Sequence, residues 1–164
     1  MNFDHFKLLV DMMFEPDGEG GIRQRYEQVD AKNLHPLVQA YIGDAYFHLF
    51  VRGRLLSYEQ AKVQALHRFS AQIVSAVWQA KAYRGIEPML TEEEQAVFRR
   101  GRNAKSHAPR SASVAEYHMS TGFEALLGWL YLEERHERLY ALAEKAFQVI
   151  SKEIMETVRE KRKK

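Results

Sequence analysis

The chain of 164 residues is 46% hydrophobic and 28% charged, which is typical of a soluble globular protein with its own core. It contains no cysteine, so disulfides, thiolate zinc sites and cysteine nucleophiles are excluded. No apolar run approaches the ~20 residues that span a bilayer, and the first residues lack the basic leader of a secretion signal. We therefore expect a cytoplasmic protein without a membrane partner. Residues 1–33 contain seven acids and four bases, whereas residues 34–164 contain fifteen acids and twenty bases, which permits a polyanionic partner.

Apolar periodicity predicts helices and no convincing strand, so the expected fold is all-α, a helical bundle. Ser57 is the expected N-cap of a long helix, with Gly85 and Pro88 marking the break after that helix. Thr91 and Glu94 form a capping box at the start of the next one. The glycine-rich loop 15–21 lacks the endings of phosphate and calcium loops and is predicted to be a plain connector. The predicted helices cover residues 1–14, 34–56, 58–82, 91–102, 114–132 and 136–159, with a further short helix over 22–30.

Asp44 is the only formally charged residue between Asn33 and Val51, and the only aspartate in residues 34–164. Helical spacing places it at the edge of an apolar face. An ionised carboxylate there loses hydration, which a cation, a metal ion or several hydrogen bonds must replace. Arg52 and Arg54 are close in sequence, so a salt bridge is the alternative to a metal.

Glu124 is likewise the sole formally charged residue between Tyr117 and Leu132. The small residues Thr121 and Gly128 beside it are expected to leave room for a ligand. Two lone carboxylates with water completing the coordination suit Mg²⁺ or Mn²⁺. A salt bridge or a capping role is the alternative, and the periodicity does not show that Asp44 and Glu124 meet in space.

A basic stretch without acids ends one predicted helix and enters the following polar loop. Such residues can bind backbone phosphates, or form a solvated surface that favours the helix C-terminus. The basic tail 159–164 is expected to be a solubilising end, with RNA contact as the second option. No histidine has the HExxH zinc spacing, and His48 and His118 are expected to be packed or surface residues. The candidate RNA contacts of the stretch are Arg99, Arg100, Arg102, Asn103, Lys105 and Arg110.

Two segments resemble the boxes of the ribonuclease III catalytic domain. Residues 41–45, Tyr-Ile-Gly-Asp-Ala, resemble its glycine-aspartate box, and residues 123–132, Phe-Glu-Ala-Leu-Leu-Gly-Trp-Leu-Tyr-Leu, resemble its second box. Residues 101–106 and 117–121 look like the variant found in Mini-ribonuclease III, the subfamily that lacks a double-stranded-RNA-binding domain. The resemblance covers roughly residues 30 to 150. It divides the chain into an N-terminal extension of unknown role (1–29), a ribonuclease III-like catalytic domain (30–158) and a basic tail (159–164).

The resemblance implies a homodimeric endoribonuclease that cuts double-stranded RNA with Mg²⁺, or with Mn²⁺ in its place, and leaves 5′-phosphomonoesters. Asp44 and Glu124 are then the catalytic and metal-binding residues. The implied substrate is the precursor of 23S ribosomal RNA, with a ribosomal protein as a candidate accessory. Two acids of full-length ribonuclease III are replaced, by Ala40 and Thr121. These losses keep open a non-catalytic RNA-binding or ribosome-assembly module on the same fold, and more remotely a helical adaptor protein.

Overall fold

The structure, a computed structural model, describes residues 3–23, 25–26, 28–105 and 113–161. Its backbone contacts divide the chain into two units, residues 1–30 and 31–164. The first unit contains helix α1 (Phe3–Met13) and an isolated antiparallel bridge between Pro16 and Ile22. Loop 15–21 is closed by this bridge and by the Asp17 carboxylate, which accepts hydrogen bonds from the backbone N–H groups of residues 19 and 21. The predicted helix over 22–30 is wrong for the residues described there, because Ile22 pairs across the bridge instead.

The described residues of the second unit form six α-helices and one 3₁₀ turn. No strand forms in the parts of the chain that the structure describes, so the all-α prediction is confirmed. None of the described helices is long and apolar enough to cross a membrane. In chain order the elements are α2 (Pro36–Leu55), α3 (Val63–Ile73), α4 (Ala76–Ile86), a 3₁₀ turn (Glu87–Met89), α5 (Glu92–Arg102), α6 (Val114–Leu132) and α7 (His136–Lys161).

Helix α6 is the centre of this unit, with α2, α4, α5 and α7 packed around it. From Ser120 to Leu130 it buries every residue except Glu124, as expected for a helix that is apolar on all sides. The surrounding helices bury their inner faces against it. The largest fully buried side chains of the core are Phe47, Ile86, Phe98, Phe123, Leu126, Leu127, Trp129, Leu130, Leu139, Leu142 and Ile150.

The helix predicted over residues 58–82 is in fact two helices. Helix α3 ends at Ile73, and Ser75 has extended backbone angles (φ −68°, ψ 151°) before α4 starts. The predicted N-cap at Ser57 is also wrong, because α3 starts only after Lys62. Helix α4 continues through Gly85 to Ile86, so the break falls at the 3₁₀ turn. The glycine allows close packing, since a Cβ atom there would lie 2.6 Å from a Val149 methyl group.

The predicted capping box at the start of α5 is confirmed. The backbone N–H of Glu94 donates to the Thr91 hydroxyl (3.2 Å), and the N–H of Thr91 donates to the Glu94 carboxylate (2.9 Å). The same carboxylate accepts two hydrogen bonds of 2.8 Å from Arg138 of α7. Burial raises the pKa of Glu94, but the bonds from Arg138 and Thr91 outweigh burial and hold it below its usual value. The buried carboxylate of Glu94 thus caps the N-terminus of α5 and joins α5 to α7 through its hydrogen bonds with Arg138.

Candidate active site

Helices α2 and α6 cross in backbone contact at Gly43 and Gly128. A Cβ atom on Gly43 would overlap the backbone oxygen of Glu124, and one on Gly128 would overlap that of Gln39. Glycine at both positions is what allows this approach. The backbone of α2 therefore fills the space beside Gly128, so the prediction that this residue leaves room for a ligand is wrong. The crossing instead brings Asp44, the residue after Gly43, to the side of Glu124.

The two acids that stood alone in the sequence are electrostatic neighbours. Partial burial and, to a smaller extent, the negative charge of Asp44 raise the pKa of Glu124 to about 8. The Gln79 side-chain amide acts in the opposite direction, because it favours the ionised form and lowers this pKa. Burial and a neighbouring carboxylate both disfavour the ionised form of a carboxyl group. A bound cation stabilises that ionised form.

Asp44 is open to solvent and forms no ion pair with Arg52 or Arg54, the two arginines that follow it in sequence. Its side chain is 51% exposed, and its Oδ1 lies 3.3 Å from Nε2 of His48, one helical turn later. Arg54 pairs with Glu144 of α7 at 2.6 Å instead. The salt bridge to Arg52 or Arg54 that the sequence left open is therefore not formed, and the Asp44 carboxylate remains accessible to a ligand.

The residues around the crossing fit a hydrated divalent cation better than a fully protein-coordinated one. No group of three or more acids and histidines that could hold a metal ion occurs in the described ranges. Ala40 is buried one turn before Asp44, and the Thr121 hydroxyl donates to the Tyr117 carbonyl at 3.0 Å. Mg²⁺ commonly keeps several water ligands and binds through one or two carboxylates. Asp44 and Glu124 supply that donor set.

Gln79 is a neighbour of the site that the sequence does not reveal. It lies in the first turn of α4, which packs against α6, and its side-chain amide lowers the pKa of Glu124. Several glutamines occur between residues 58 and 82, and their spacing does not distinguish this one. Only the packing of α4 against α6 brings it to the acid.

The basic stretch lies at the end of α5, against α6. Gly101 allows this contact, since a Cβ atom there would lie 2.6 Å from the Ala125 Cβ and 3.0 Å from the Gly122 Cα. The cationic end of α5 therefore packs on the turn of α6 that contains Glu124. Arg110, predicted as part of the same group, lies outside the described residues. The described members of the stretch are all exposed: Arg99, Arg100, Arg102, Asn103 and Lys105.

Part of this group lines a cleft of about 790 Å³. Arg99, Arg100 and Asn103 contribute to its wall, and Nη1 of Arg100 donates to the backbone carbonyl of Lys32 at 3.3 Å. Arg102 and Lys105 are not among the lining residues. The Arg102 Nε donates to the Asn103 side chain at 3.3 Å. The structure thus brings three of the predicted residues together and leaves two on the adjoining surface. The remaining lining residues are Lys32, Pro36, Glu93, Ala96, Val97 and Trp129.

Comparison with known families defines the class of this domain. Residues 37–135, which include the α2–α6 crossing, match the Ribonuclease III domain. A solved structure of a protein from Fusobacterium nucleatum superposes with a TM-score of 0.64 at 29% sequence identity, covering 75% of this chain and 96% of that one. The fold is therefore that of a ribonuclease III domain.

Named relatives show to which family of ribonuclease III proteins the chain belongs. Mini-ribonuclease 3 of Symbiobacterium thermophilum is 50% identical over 120 residues, covering 73% of this chain and 92% of that protein. Mini-ribonuclease 3 of Enterococcus faecalis is 44% identical over 116 residues, covering 69% of this chain and 88% of that protein. The chain belongs to the Mini-ribonuclease III family, as its sequence predicted.

Proposed function

We propose that the chain is a Mg²⁺-dependent endoribonuclease that cleaves double-stranded RNA, with Asp44 and Glu124 as its catalytic, metal-binding residues. The meeting of these two lone acids at the α2–α6 crossing is the observation that carries the proposal. No arginine or lysine of the described residues forms an ion pair with either carboxylate. A pair of acids without an arginine or lysine partner is suited to bind a metal ion. Mn²⁺ has the same ligand preference and would substitute for Mg²⁺.

The chemistry follows from these two side chains. Asp44 and Glu124 would hold Mg²⁺, which when bound would polarise the scissile phosphate and lower the pKa of an attacking water molecule. Asp44 is the more accessible of the two acids and is the one that faces the substrate. Glu124, anchored on the central helix, fixes the other side of the site. The water oxygen bonds to phosphorus and the bond to the 3′ oxygen breaks, so the products carry a 5′-phosphate and a 3′-hydroxyl.

The exposed end of α5 is the proposed RNA-binding surface. Arginine and lysine there contact phosphates, and duplex RNA is recognised mainly by its A-form shape and 2′-hydroxyl groups. The packing of the end of α5 on the turn of α6 that contains Glu124 supports this assignment. The proposed contacts are Arg99, Arg100, Arg102, Asn103 and Lys105, together with Arg110 from the sequence.

We propose that the chain forms a homodimer and that the outer face of α2 is its interface. This helix buries residues 39, 40, 43, 47 and 51 and exposes an apolar stripe on its opposite side. The stripe adjoins Asp44, since Tyr41 and Ala45 flank that residue. A two-fold contact here would set two acidic pairs along one RNA duplex, each cutting one strand. The stripe consists of Val38 (47% exposed), Tyr41 (75%), Leu49 (71%) and Leu56 (51%).

The natural substrate proposed is the precursor of 23S ribosomal RNA, cut in the cytoplasm to its mature ends. A ribosomal protein is the proposed accessory that presents this RNA. The support is the family resemblance, which covers roughly residues 30 to 150. We propose residues 30–158 as the catalytic domain. Residues 1–29 are an extension to which no role is assigned, and residues 159–164 are a basic tail.

The deciding test is cleavage of a perfectly paired RNA by the wild-type chain with Mg²⁺ and with EDTA. If the proposal is correct, the wild-type chain yields fragments with 5′-phosphate ends in Mg²⁺ and no fragments in EDTA. The second candidate is a non-catalytic RNA-binding or ribosome-assembly module, favoured by the absence of acids at Ala40 and Thr121. Duplex binding without cleavage at any Mg²⁺ concentration would support this module and overturn the enzyme. The natural follow-up substrate is the ribosomal RNA precursor.

A further inference from the structure

Helix α1 is amphipathic, yet none of its residues is buried by the parts of the chain that the structure describes. Its apolar side chains recur at helical spacing and form one face, and four of them are 42–77% exposed. An amphipathic helix is stabilised mainly by packing such a face on another apolar surface. The apolar face of α1 consists of Phe3, Phe6, Leu9, Val10 and Met13.

A cleft of about 520 Å³ between α3 and α7, the α3–α7 cleft, has an apolar lining. Of the 11 residues of α3, Ser70 and Ile73 alone are buried, so the apolar side of this helix is largely open. Phe69 of α3 is 52% exposed and Met155 of α7 is 53% exposed, and both line the cleft. An exposed apolar groove of this kind marks a surface that binds another helix. Its large side chains include Tyr58, Leu66, Phe69, Phe147, Ile154 and Met155.

The charges around the cleft are opposite in sign to those around α1. Residues 60–86 contain four bases and no acid. Two of these bases, Lys62 and Arg68, line a second cleft at the start of α3 that shares lining residues with the first. Glu59 lines the first cleft, but its carboxylate accepts hydrogen bonds of 2.8 and 3.0 Å from two backbone N–H groups just after it. Residues 152–161 of α7 contain three acids and three bases and add no net charge.

The segment that contains α1 is acidic. Residues 3–19 contain five acids and one base, a net charge of −4 with histidine neutral. An apolar helix face bordered by acids therefore matches an apolar cleft bordered by bases, and opposite charges favour association and select the partner. The lengths also agree. Helices α1 and α3 have 11 residues each, so α1 is about 17 Å long and can lie along the whole α3 wall of the cleft.

We propose that α1 of one copy of the chain docks into the α3–α7 cleft of a second copy. The apolar face of α1 covers the apolar lining, and the acids of residues 3–19 lie toward Lys62 and Arg68. Each copy carries one such helix and one such cleft, so a two-fold exchange between two copies fills both clefts. This gives the N-terminal extension a role in assembly, which is independent of the chemistry at Asp44 and Glu124.

A spin label on α1 tests the contact between copies. The chain contains no cysteine, so Met13→Cys accepts a single nitroxide label on the apolar face of α1. The labelled chain, at natural isotope abundance, is mixed with the ¹⁵N-labelled wild-type chain without RNA or metal. Broadening of ¹⁵N signals in this sample arises only between copies. We expect the backbone amide signals around Phe69 and Met155 to lose most of their intensity, and to lose more than those of any other helix in residues 31–164.

A second sample separates the possible occupants of the cleft. Here the label and the ¹⁵N are in the same Met13→Cys molecule, diluted with unlabelled wild-type chain. Broadening around Phe69 in this sample, without broadening in the mixed sample, means that α1 docks on its own chain and overturns the exchange between copies. Absence of broadening there in both samples also overturns the proposal. Neither result bears on the proposed function, because RNA and metal are absent.

A charge placed in the cleft provides the matched variant. Phe69→Glu in the ¹⁵N-labelled copy puts an acid where the acidic helix is proposed to dock, so the broadening around Met155 should be lost. Val114→Glu is the control, because Val114 is also more than half exposed and lies at the start of α6, outside the lining of both clefts. It should keep the wild-type broadening. Equal broadening around Met155 in the two variants would contradict docking in this cleft.

Discussion

The carboxylate of Asp44 lies near enough to that of Glu124 to contribute, after burial, to the raised pKa of Glu124. The two residues are far apart in sequence and meet because Gly43 and Gly128 let α2 and α6 touch. Two acids in such proximity destabilise the fold unless a cation or a proton lies between them. The arrangement is therefore unfavourable for stability and favourable for binding a metal ion, which indicates a functional role for the pair.

The crossing itself can be tested by adding one methyl group. Gly43→Ala should lower the free energy of unfolding by about 3 kcal/mol, because the new Cβ overlaps the backbone of α6 and cannot be accommodated by a side-chain movement. Gly53→Ala is the control within the same helix, since it is exposed and its Cβ would meet nothing within 4 Å. It should stabilise the protein by about 0.5–1 kcal/mol. Urea unfolding measures both, and equal stability of the two variants would contradict the close crossing.

The buried acid at the start of α5 predicts a pH dependence of stability. The folded-state pKa of Glu94 lies below its unfolded value of 4.5, so its contribution is complete above that pH and is lost as the pH falls through the folded-state pKa. Glu94→Gln should cost about 2 kcal/mol at pH 7, since it removes the charge that Arg138 contacts. The difference from wild type should shrink below pH 4.

Glu93→Gln is the matched control for that measurement. Glu93 is the neighbouring acid, and it pairs with Arg135 at 2.9 Å while both side chains remain partly exposed. A pair of this kind contributes less than about 1 kcal/mol. If the two substitutions cost the same in urea unfolding at pH 7, Glu94 has no special role in joining α5 to α7.

The basic end of α5 predicts a change in the salt dependence of RNA binding. Arg102→Ala and Lys105→Ala should each weaken duplex binding and lower the slope of log K against log salt by about 1. Lys145→Ala removes the same charge from the exposed surface of α7 and should leave the slope unchanged. Binding is measured with EDTA present, so that cleavage does not interfere. Unchanged slopes for Arg102→Ala and Lys105→Ala would remove this surface from the RNA contact.

The apolar stripe on α2 predicts the oligomeric state. Leu49→Glu places a charge at its centre and should convert the dimer to a monomer, because burying an unpaired carboxylate is costly. Val158→Glu adds the same charge at an exposed position of α7 and should leave the dimer intact. Sedimentation equilibrium measures the mass of each variant. A Leu49→Glu variant that remains dimeric would place the interface elsewhere.

Much of the fold could be predicted because the signals are local. Thr91 and Glu94 mark the start of α5 through their own hydrogen bonds, and the apolar run of α6 marks a central helix. The break between α3 and α4 could not be predicted, since residues 58–82 contain neither proline nor glycine and Ser75 also occurs within helices. The break follows from the packing of both helices onto the core.

The candidate active site, like the fold, could be predicted from the sequence only in part. Asp44 and Glu124 attract attention because each is the only formal charge in a long apolar run, residues 33–51 and 117–132, which is a property of sequence alone. Their proximity depends on the glycine crossing, which requires knowing which helices pair. Gln79 was missed altogether, because its effect on the pKa of Glu124 depends on the packing of α4 against α6 and leaves no pattern in the sequence.

The most direct test of the central claim compares Asp44→Asn with the wild type on one duplex RNA with Mg²⁺. The substitution keeps the shape of the side chain but removes its charge. We expect the cleavage rate to fall at least a thousandfold relative to wild type. A loss of about this size is expected when a group that stabilises charge in a catalytic site is removed. Duplex binding, helicity and the dimer should persist, and stability without metal should equal or exceed that of the wild type. Cleavage by Asp44→Asn at the wild-type rate would contradict the assignment of Asp44 and Glu124 as the catalytic pair.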